Sequence, residues 1–175
     1  SGVRRALDTG QLADAGSSVT PDVERLLALH PDAILVSPYE GSNYDILEQA
    51  GVPLIECADY AETSALGQAE WMRFYGRLFG CGEQADSLFA RVEQRYDSLR
   101  QSAGRLASPP TLMLDKMDGG TWYVPAGHST MGQLYADAGA RYLFADQAGT
   151  ASVPLSFDTV FARAAHADFW LIKYG

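Results

Sequence analysis

The chain has 175 residues, 47% of them hydrophobic, so it can bury one sizeable core or two small ones. Its net charge of −9 argues against nucleic acid as a partner, because neutralising phosphates requires lysine and arginine. No apolar run approaches the roughly 18 residues that a membrane span needs, the first residues lack the apolar stretch of a signal peptide, and two cysteines are too few for a disulfide framework.

The first part of the chain, residues 1–60, alternates predicted helices with short apolar strands. We predict, in order, a helix from Asp22, a strand at 33–36, a loop at 37–43, a helix at 44–50 and a strand at 53–57. This order predicts a βαβ unit with two parallel strands, since a helix separates them. We interpret it as the first of two partial α/β lobes.

The second part, residues 61–108, is predicted to be helical. Apolar residues recur at spacings of three and four over residues 63–79 and again over 83–103. The second helix would be about 30 Å long at the usual helical rise. It is either an ordinary surface helix of one domain or a connector between two lobes.

The third part, residues 109–175, starts a new α/β pattern. We predict strands at 111–114 and 121–124, a helix at 130–138, an apolar segment at 142–144, a loop at 149–154, and a final helix that leads into a strand at 169–172. The last strand lacks the element that would normally follow it, which suggests an internal fragment of a longer protein.

Two stretches of the chain, 136 positions apart, share one pattern. Each has a hydroxyl residue that can cap a helix, an aspartate in the first turn, a His-x-Asp step and a short apolar run. The first begins at Thr20 and includes His30, and the second begins at Ser156 and includes His166 and Asp168. The repeat predicts two lobes of similar build. We interpret both histidines as helix-end residues rather than as a metal-binding or acid–base pair.

No catalytic motif stands out in the chain. It has no P-loop, no dinucleotide fingerprint, no nucleophile elbow and no acidic metal loop. His128 lies in a loop that precedes a predicted helix, where it either binds a ligand or only caps the loop. An α/β enzyme domain, a hydrolase or a nucleotide-dependent enzyme with His128 and Asp118 in its active site, is the alternative to a binding protein.

Aromatic and apolar residues lie in the loops at predicted strand ends, which suits a bulky, partly apolar ligand. Tyr39 follows the first strand, and Leu155 precedes the second copy of the repeat. Trp122 and Tyr123 are adjacent, so one of them must face inward if their segment is a strand. We favour Trp122 as the residue that faces the ligand.

Several segments resemble a known family of binding proteins. Residues 21–36 resemble the "PxxExxxxLxPDLI" motif of the ABC-transporter substrate-binding proteins for iron-siderophores, haem and vitamin B12. Residues 51–55 are similar to the family's "aGIPVv" element. The Gly127-His128-Ser129 loop, together with residues 137–140, is similar to its "GxxS…aGG" segment. Residues 154–158 are similar to its "xxSxExv" element.

The resemblance implies an α/β fold of two Rossmann-like lobes joined by a stiff helix, both lobes being partial in this chain. It also implies a solute-binding component of an ABC importer that captures a metal chelate or corrinoid between the lobes. The site would have no catalytic residue, cofactor or bound metal. The ligand contacts that it implies are Tyr39, Glu40, Lys116, Trp122, His128 and Leu155.

The resemblance further implies that the protein docks on a membrane permease through an acid on each lobe, here Asp158 and, as the nearest candidate, Glu40. It places the protein in the periplasm or anchored at the cell envelope, and we expect a monomer. The cleft loops carry no arginine cluster, which favours a neutral or cationic ligand over an anionic ferric complex.

Overall fold

The computed structural model describes residues 2–17, 21–38 and 44–172, and it divides into two compact units, Ser1–Ala58 and Asp59–Gly175. The elements of the first unit are α1 (Gly2–Asp8), α2 (Val23–Ala28), β1 (Ile34–Val36), α3 (Asp45–Gln49) and β2 (Leu54–Glu56). β1 and β2 are parallel, with Ile34 opposite Leu54. The predicted βαβ unit is therefore confirmed, while α1 was not predicted.

The ends of α2 explain the first copy of the repeat. The helix is capped by Asp22, whose carboxylate accepts a hydrogen bond from the Arg25 amide at 3.0 Å. The expected cap, Thr20, lies outside the described residues. After the helix, His30 adopts a φ of 47°, and its amide donates to the Leu27 carbonyl at 3.1 Å. The interpretation of His30 as a helix-end residue is confirmed.

The second unit contains a helical pair and two sheets. Its elements are a 3₁₀ turn (Asp59–Ala61), α4 (Ala65–Leu78), α5 (Gly82–Ala103), β3 (Thr111–Leu114), β4 (Trp122–Pro125), α6 (Thr130–Asp137), β5 (Arg141–Tyr142), β6 (Ser152–Leu155), α7 (Phe157–Ala164) and β7 (Phe169–Leu171). The two helices predicted in the middle of the chain are confirmed as α4 and α5. The three-part domain division stays a prediction.

The contact between α4 and α5 combines close packing with an ion pair. A Cβ placed on Gly76 of α4 would lie 2.3 Å from the Cβ of Ala85, so only glycine permits this approach. Next to it, the Arg73 Nε donates to the Asp86 carboxylate at 2.8 Å, and the guanidinium lies 5.4 Å from the centre of the Phe89 ring. The guanidinium holds the pKa of Asp86 below its usual range.

The core of the second unit is built around β3. This strand pairs in parallel with β5 on one edge and with β7 on the other, and all four of its residues are buried. The core cluster consists of Leu112, Met113, Leu114, Trp122, Val124, Tyr135, Tyr142, Phe144, Val160 and Ala164. A strand that is buried on both faces reads as a continuous apolar run, which is why the sequence predicts β3 so accurately.

β4 and β6 form a separate antiparallel ribbon in which Trp122 lies opposite Leu155 and Tyr123 opposite Pro154. The prediction of a loop at 149–154 is wrong for residues 152–154, because β6 starts at Ser152. A proline and a preceding run of small residues conceal the strand in the sequence, since proline cannot donate to a central ladder. At the edge of a two-stranded ribbon it is tolerated.

The second copy of the repeat is confirmed as a helix-to-strand unit. Ser156 caps α7 by accepting from the Thr159 amide at 3.2 Å, and Asp158 lies in the first turn. At the far end, the Asp168 carboxylate accepts from both the amide and the hydroxyl of Thr111, at 2.8 and 2.7 Å. The Asp168 amide donates back to the Thr111 hydroxyl at 2.7 Å. Asp168 therefore ties the start of β7 to the start of β3.

Within residues 2–17, 21–38 and 44–172, no helix combines the length and the hydropathy that crossing a bilayer requires.

Replacing Asp168 tests this tie between the two strands. The hydrogen bonds from Thr111 hold the pKa of Asp168 below its ordinary value. A carboxyl with a lowered pKa stabilises the fold above its unfolded pKa, and this contribution is lost as the pH falls through the folded value. We therefore expect Asp168→Asn to lower the Tm by several degrees at pH 7. The difference in Tm between this variant and the unaltered protein should narrow as the pH falls below about 4.

Thermal unfolding followed by circular dichroism measures this effect. Asp97→Asn is the matched control, because Asp97 lies on the surface in an exposed pair with Arg100 of the same helix. Equal effects of the two substitutions, or a difference that does not change with pH, would contradict the prediction.

Candidate functional site

The candidate site lies at the carboxyl end of β3, the sheet edge at which α/β proteins bind ligands. Two indoles hold this end in place. The Trp122 Nε1 donates to the Leu114 carbonyl at 2.8 Å, and the Trp170 Nε1 donates to the Asp115 carbonyl at 2.6 Å. Asp115 itself adopts a φ of 57°, a left-handed conformation that aspartate tolerates better than most residues, and this turns the chain away from the sheet.

The β4–β6 ribbon runs from this edge toward β5. It starts at Trp122, beside the end of β3, and at its other end the Pro125 carbonyl accepts a hydrogen bond from the Tyr142 hydroxyl at 2.7 Å. Four strand residues span roughly 10 Å. The loop at 115–121 and the loop that contains His128 therefore leave the ribbon at opposite ends of β4.

Alternation along the ribbon decides which side chains face outward. Trp122 is only 6% exposed, and Leu155 is half-buried and packs against the core cluster, whereas Tyr123 is 52% exposed and lies opposite the exposed Pro154. The expectation that Trp122 is the outward-facing aromatic residue is wrong. The indole fills the core and bonds the end of β3, while Tyr123 is the aromatic residue on the outer face.

The sequence contained a signal for this orientation. Side chains alternate between the two faces of a strand, so Trp122 and Val124 lie on one face and Tyr123 on the other. Val124 and the next residue, Pro125, are buried, which makes the face of Trp122 and Val124 the inner one. An indole can also satisfy its N–H with a backbone carbonyl inside a core. Trp170, which holds Asp115, was missed as a member of the site for a different reason, because the contact joins residues 55 positions apart.

The Gly127-His128-Ser129 loop is held by close backbone contacts. A Cβ on Gly127 would lie 1.8 Å from the Ala145 carbonyl oxygen, so no other residue fits there without a backbone shift. Ser129 is buried, and its hydroxyl donates to the Ala126 carbonyl at 2.7 Å and accepts from the Gly132 amide at 3.0 Å. This arrangement caps α6 and leaves His128 as the exposed residue of the loop.

The remaining predicted site residues are distributed around the ribbon. Lys116 and Asp118 are exposed in the loop between β3 and β4, and Asp158 is exposed on α7. Asp118 and His128 lie at opposite ends of β4, so the structure does not bring together the pair of the enzyme hypothesis. Tyr39 and Glu40 lie outside the described residues.

Buried tyrosines form the floor beneath the ribbon. Desolvation raises the pKa of Tyr135 to about 12 and also raises the pKa of Tyr142, so both hydroxyls are neutral at physiological pH. Their rings are 5.5 Å apart. Among the described residues, only the Tyr135 hydroxyl is a buried side-chain atom without a hydrogen-bond partner, and no group of three or more histidine, cysteine or acidic side chains could hold a metal ion.

Comparison with known proteins identifies the family. Residues 2–174 match the family model described as periplasmic binding protein. The chain belongs to this family. The α/β fold with two Rossmann-like lobes, expected from the sequence, is confirmed by the solved members that it resembles.

Three similar proteins illustrate the match. The heme-binding protein RhuT of Roseiflexus sp. RS-1 is 26% identical, with a TM-score of 0.70 over 92% of this chain and 61% of RhuT. The catecholate-siderophore binding protein VctP of Vibrio cholerae is 20% identical, with a TM-score of 0.74 over 98% of this chain and 61% of VctP. The lipoprotein MJ0878 of Methanocaldococcus jannaschii is 25% identical over 97% of this chain and 42% of its own length.

This periplasmic binding protein chain therefore spans less than two thirds of the length of these relatives.

Two of the serine caps of the second unit, those of α6 and α7, provide a matched test of the loop at His128. Ser129 and Ser156 each accept a hydrogen bond from the amide three residues ahead, but only Ser129 is buried. We expect Ser129→Ala to cost roughly 2 kcal/mol, because it leaves a buried amide without a partner, and Ser156→Ala roughly 0.5–1 kcal/mol, because water replaces the hydroxyl.

Urea unfolding of both variants measures the difference. A cost for Ser129→Ala no larger than that for Ser156→Ala would show that the buried cap does not hold the loop.

Proposed function

We propose that the protein containing this chain is the solute-binding component of an ABC importer, and that it captures a metal chelate, namely a ferric siderophore, haem or cobalamin. The observation that carries the proposal is the family match over residues 2–174, together with the likeness to RhuT at 26% identity. We also propose that the protein acts at the cell envelope without catalysing a reaction, in keeping with its lipoprotein relative.

The outer face of the ribbon supports the proposal. Tyr123 exposes a large aromatic ring beside Pro154, and exposed basic or titratable groups lie near each end of the ribbon, Lys116 at one end and His128 at the other. An aromatic ring gives a large contact area at low cost in conformational entropy, which suits a broad, partly apolar chelate. We therefore add Tyr123 to Lys116 and His128 as ligand contacts.

Trp122 and Leu155 have a different part in this proposal. Because both pack on the inner face of the ribbon, they would shape the surface from beneath rather than cover the ligand. Tyr39 and Glu40 stay ligand contacts predicted from the family resemblance. The enzyme alternative is not favoured, since Asp118 and His128 lie at opposite ends of β4.

Titration of the full-length protein tests the proposed ligand class. Ferric catecholate and hydroxamate siderophores, haem and cobalamin would each be titrated separately, with binding followed by isothermal calorimetry and by the shift in Tm. We expect saturable binding of one of these classes and a rise in Tm, because a ligand that binds only the folded state stabilises it. Absence of binding by all of them would refute the proposal.

Two substitutions then test the ribbon surface. We expect Tyr123→Ala and His128→Ala each to weaken binding roughly tenfold, the loss typical of a contact near the centre of an interface. His166→Ala is the matched control, because His166 is an exposed histidine in the turn after α7. Unchanged affinity in both ribbon variants would place the ligand elsewhere.

We also propose that Asp158 docks on the permease of the importer, with Glu40 as the partner acid of the first lobe. Asp158 is an exposed acid in the first turn of α7, where the helix dipole also favours a negative charge. In proteoliposomes that contain the permease, we expect Asp158→Lys to reduce ligand-stimulated ATP hydrolysis roughly tenfold or more without changing ligand affinity.

Glu83→Lys is the matched control, because Glu83 is an exposed acid in the first turn of α5. Equal losses in the two variants would indicate a general charge effect rather than docking at Asp158.

A further inference from the structure

A groove of about 340 Å³ lies between α5 and α6 of the second unit. Its lining residues come from the second half of α5 and from the last turn of α6 with its C-cap. None of them belongs to the ribbon or to the loops at its ends. Beside the groove the ends of the two helices are in contact, since a Cβ on Gly139 would lie 2.9 Å from the Ala103 carbonyl oxygen. The groove is therefore separate from the chelate surface proposed above.

The Asp137 carboxylate is the polar centre of this groove. It accepts a hydrogen bond from the Tyr96 hydroxyl at 2.7 Å and another from the Gln133 side-chain amide at 3.1 Å. Desolvation and the bond to Asp137 raise the pKa of Tyr96 to about 12, so the hydroxyl stays neutral. Both donors to Asp137 are thus uncharged, and within the described parts of the chain no ion pair reaches this carboxylate. A half-buried negative charge is left there without a compensating cation.

A cationic head group that donates hydrogen bonds complements this carboxylate. A carboxylate has about four acceptor positions, so Asp137 can accept further bonds beside those from Tyr96 and Gln133. Arg100, which also lines the groove, pairs with the Asp97 carboxylate at 3.0 Å, and this pair offsets its charge. A primary ammonium supplies both a positive charge and N–H donors. The charges of the groove therefore favour an amine over an anion.

Apolar side chains form the rest of the groove. Leu99 of α5 is 71% exposed, and Ala103 and Leu134 line the groove with it. Covering a leucine this exposed removes apolar surface from water, which favours binding. Small-molecule sites combine such apolar walls with a few polar groups that fix the orientation of the ligand. An alkyl chain of a few carbons therefore suits the walls while its head group lies at Asp137.

We propose that this groove is a binding site for a primary alkylammonium, with the ammonium at Asp137 and the alkyl chain along Leu99 and Leu134. It is a second site, additional to the chelate surface on the ribbon. The helix α6 connects the two, because it begins directly after the His128-Ser129 loop and carries Asp137 in its last turn. The alkylammonium and the proposed chelate contact at His128 therefore lie at opposite ends of one helix.

Calorimetric titration of the full-length protein with three probes tests the ligand class. n-Hexylamine carries both the ammonium and the tail, 1-hexanol carries the tail alone, and methylamine carries the ammonium alone. We expect saturable binding of n-hexylamine, at least about tenfold tighter than that of either control, because only this probe satisfies both Asp137 and the apolar walls. No saturable binding of n-hexylamine, or an equal affinity for 1-hexanol, would overturn the proposal.

Substitution of Asp137 locates the head group. Asp137→Asn removes the charge and keeps the shape of the side chain, and we expect it to weaken n-hexylamine binding roughly tenfold or more. Glu83→Gln is the matched control, because it removes one negative charge at the far end of α5, outside the groove. Equal losses in the two variants would indicate general attraction of a cation to an acidic protein, and they would overturn the assignment of this site.

Substitution of Leu99 locates the tail and does not disturb a packed core, since Leu99 is exposed. We expect Leu99→Ser to weaken n-hexylamine binding roughly fivefold, because the alkyl chain loses an apolar contact. Leu88→Ser is the control, because Leu88 is 45% exposed on the same helix and does not line the groove. Unchanged affinity in Leu99→Ser, or an equal loss in Leu88→Ser, would contradict binding in this groove.

Discussion

The burial of β3 on both faces is the constraint on which the second unit depends. Because Leu112, Met113 and Leu114 are all buried, the strand must be paired on both edges and covered above and below. β5 and β7 provide the pairing. At the start of the strand, three hydrogen bonds join Asp168 and Thr111, two donated by Thr111 and one by the Asp168 amide. They hold the start of β7 beside the start of β3.

The carboxyl end of the same strand positions the candidate site. Two indole N–H groups donate to the carbonyls of Leu114 and Asp115, and the Asp115 amide donates to the Leu171 carbonyl of β7 at 2.8 Å, so the backbone that leaves the sheet stays hydrogen-bonded. Trp122 thereby begins the ribbon with its ring on the inner face. Strict alternation then turns Tyr123 outward, so one hydrogen bond in the core determines which aromatic ring is available to a ligand.

The helices and the buried strands could be predicted from the sequence because their signals are local. The apolar spacing predicts α4 and α5 within two residues of their observed ends, and the continuous apolar run predicts β3 at its observed bounds. β6 could not be predicted in this way. Its proline and small residues carry no strand signal, and it exists because β4 offers a partner about 30 positions earlier. The choice between Trp122 and Tyr123 failed for a similar reason, since it depends on a carbonyl of another strand.

The repeat illustrates which features follow from neighbouring residues and which depend on contacts between distant ones. The sequence by itself determined that two helix-to-strand units occur, that His30 and His166 end their helices, and that the family motifs follow one another in order, because caps, periodicity and motifs are properties of neighbouring residues. Only the tertiary structure decided that Asp168 binds Thr111, that Gly127 must approach the Ala145 carbonyl, and that Tyr123 faces outward. These facts depend on which distant backbone groups come together, and packing sets those distances.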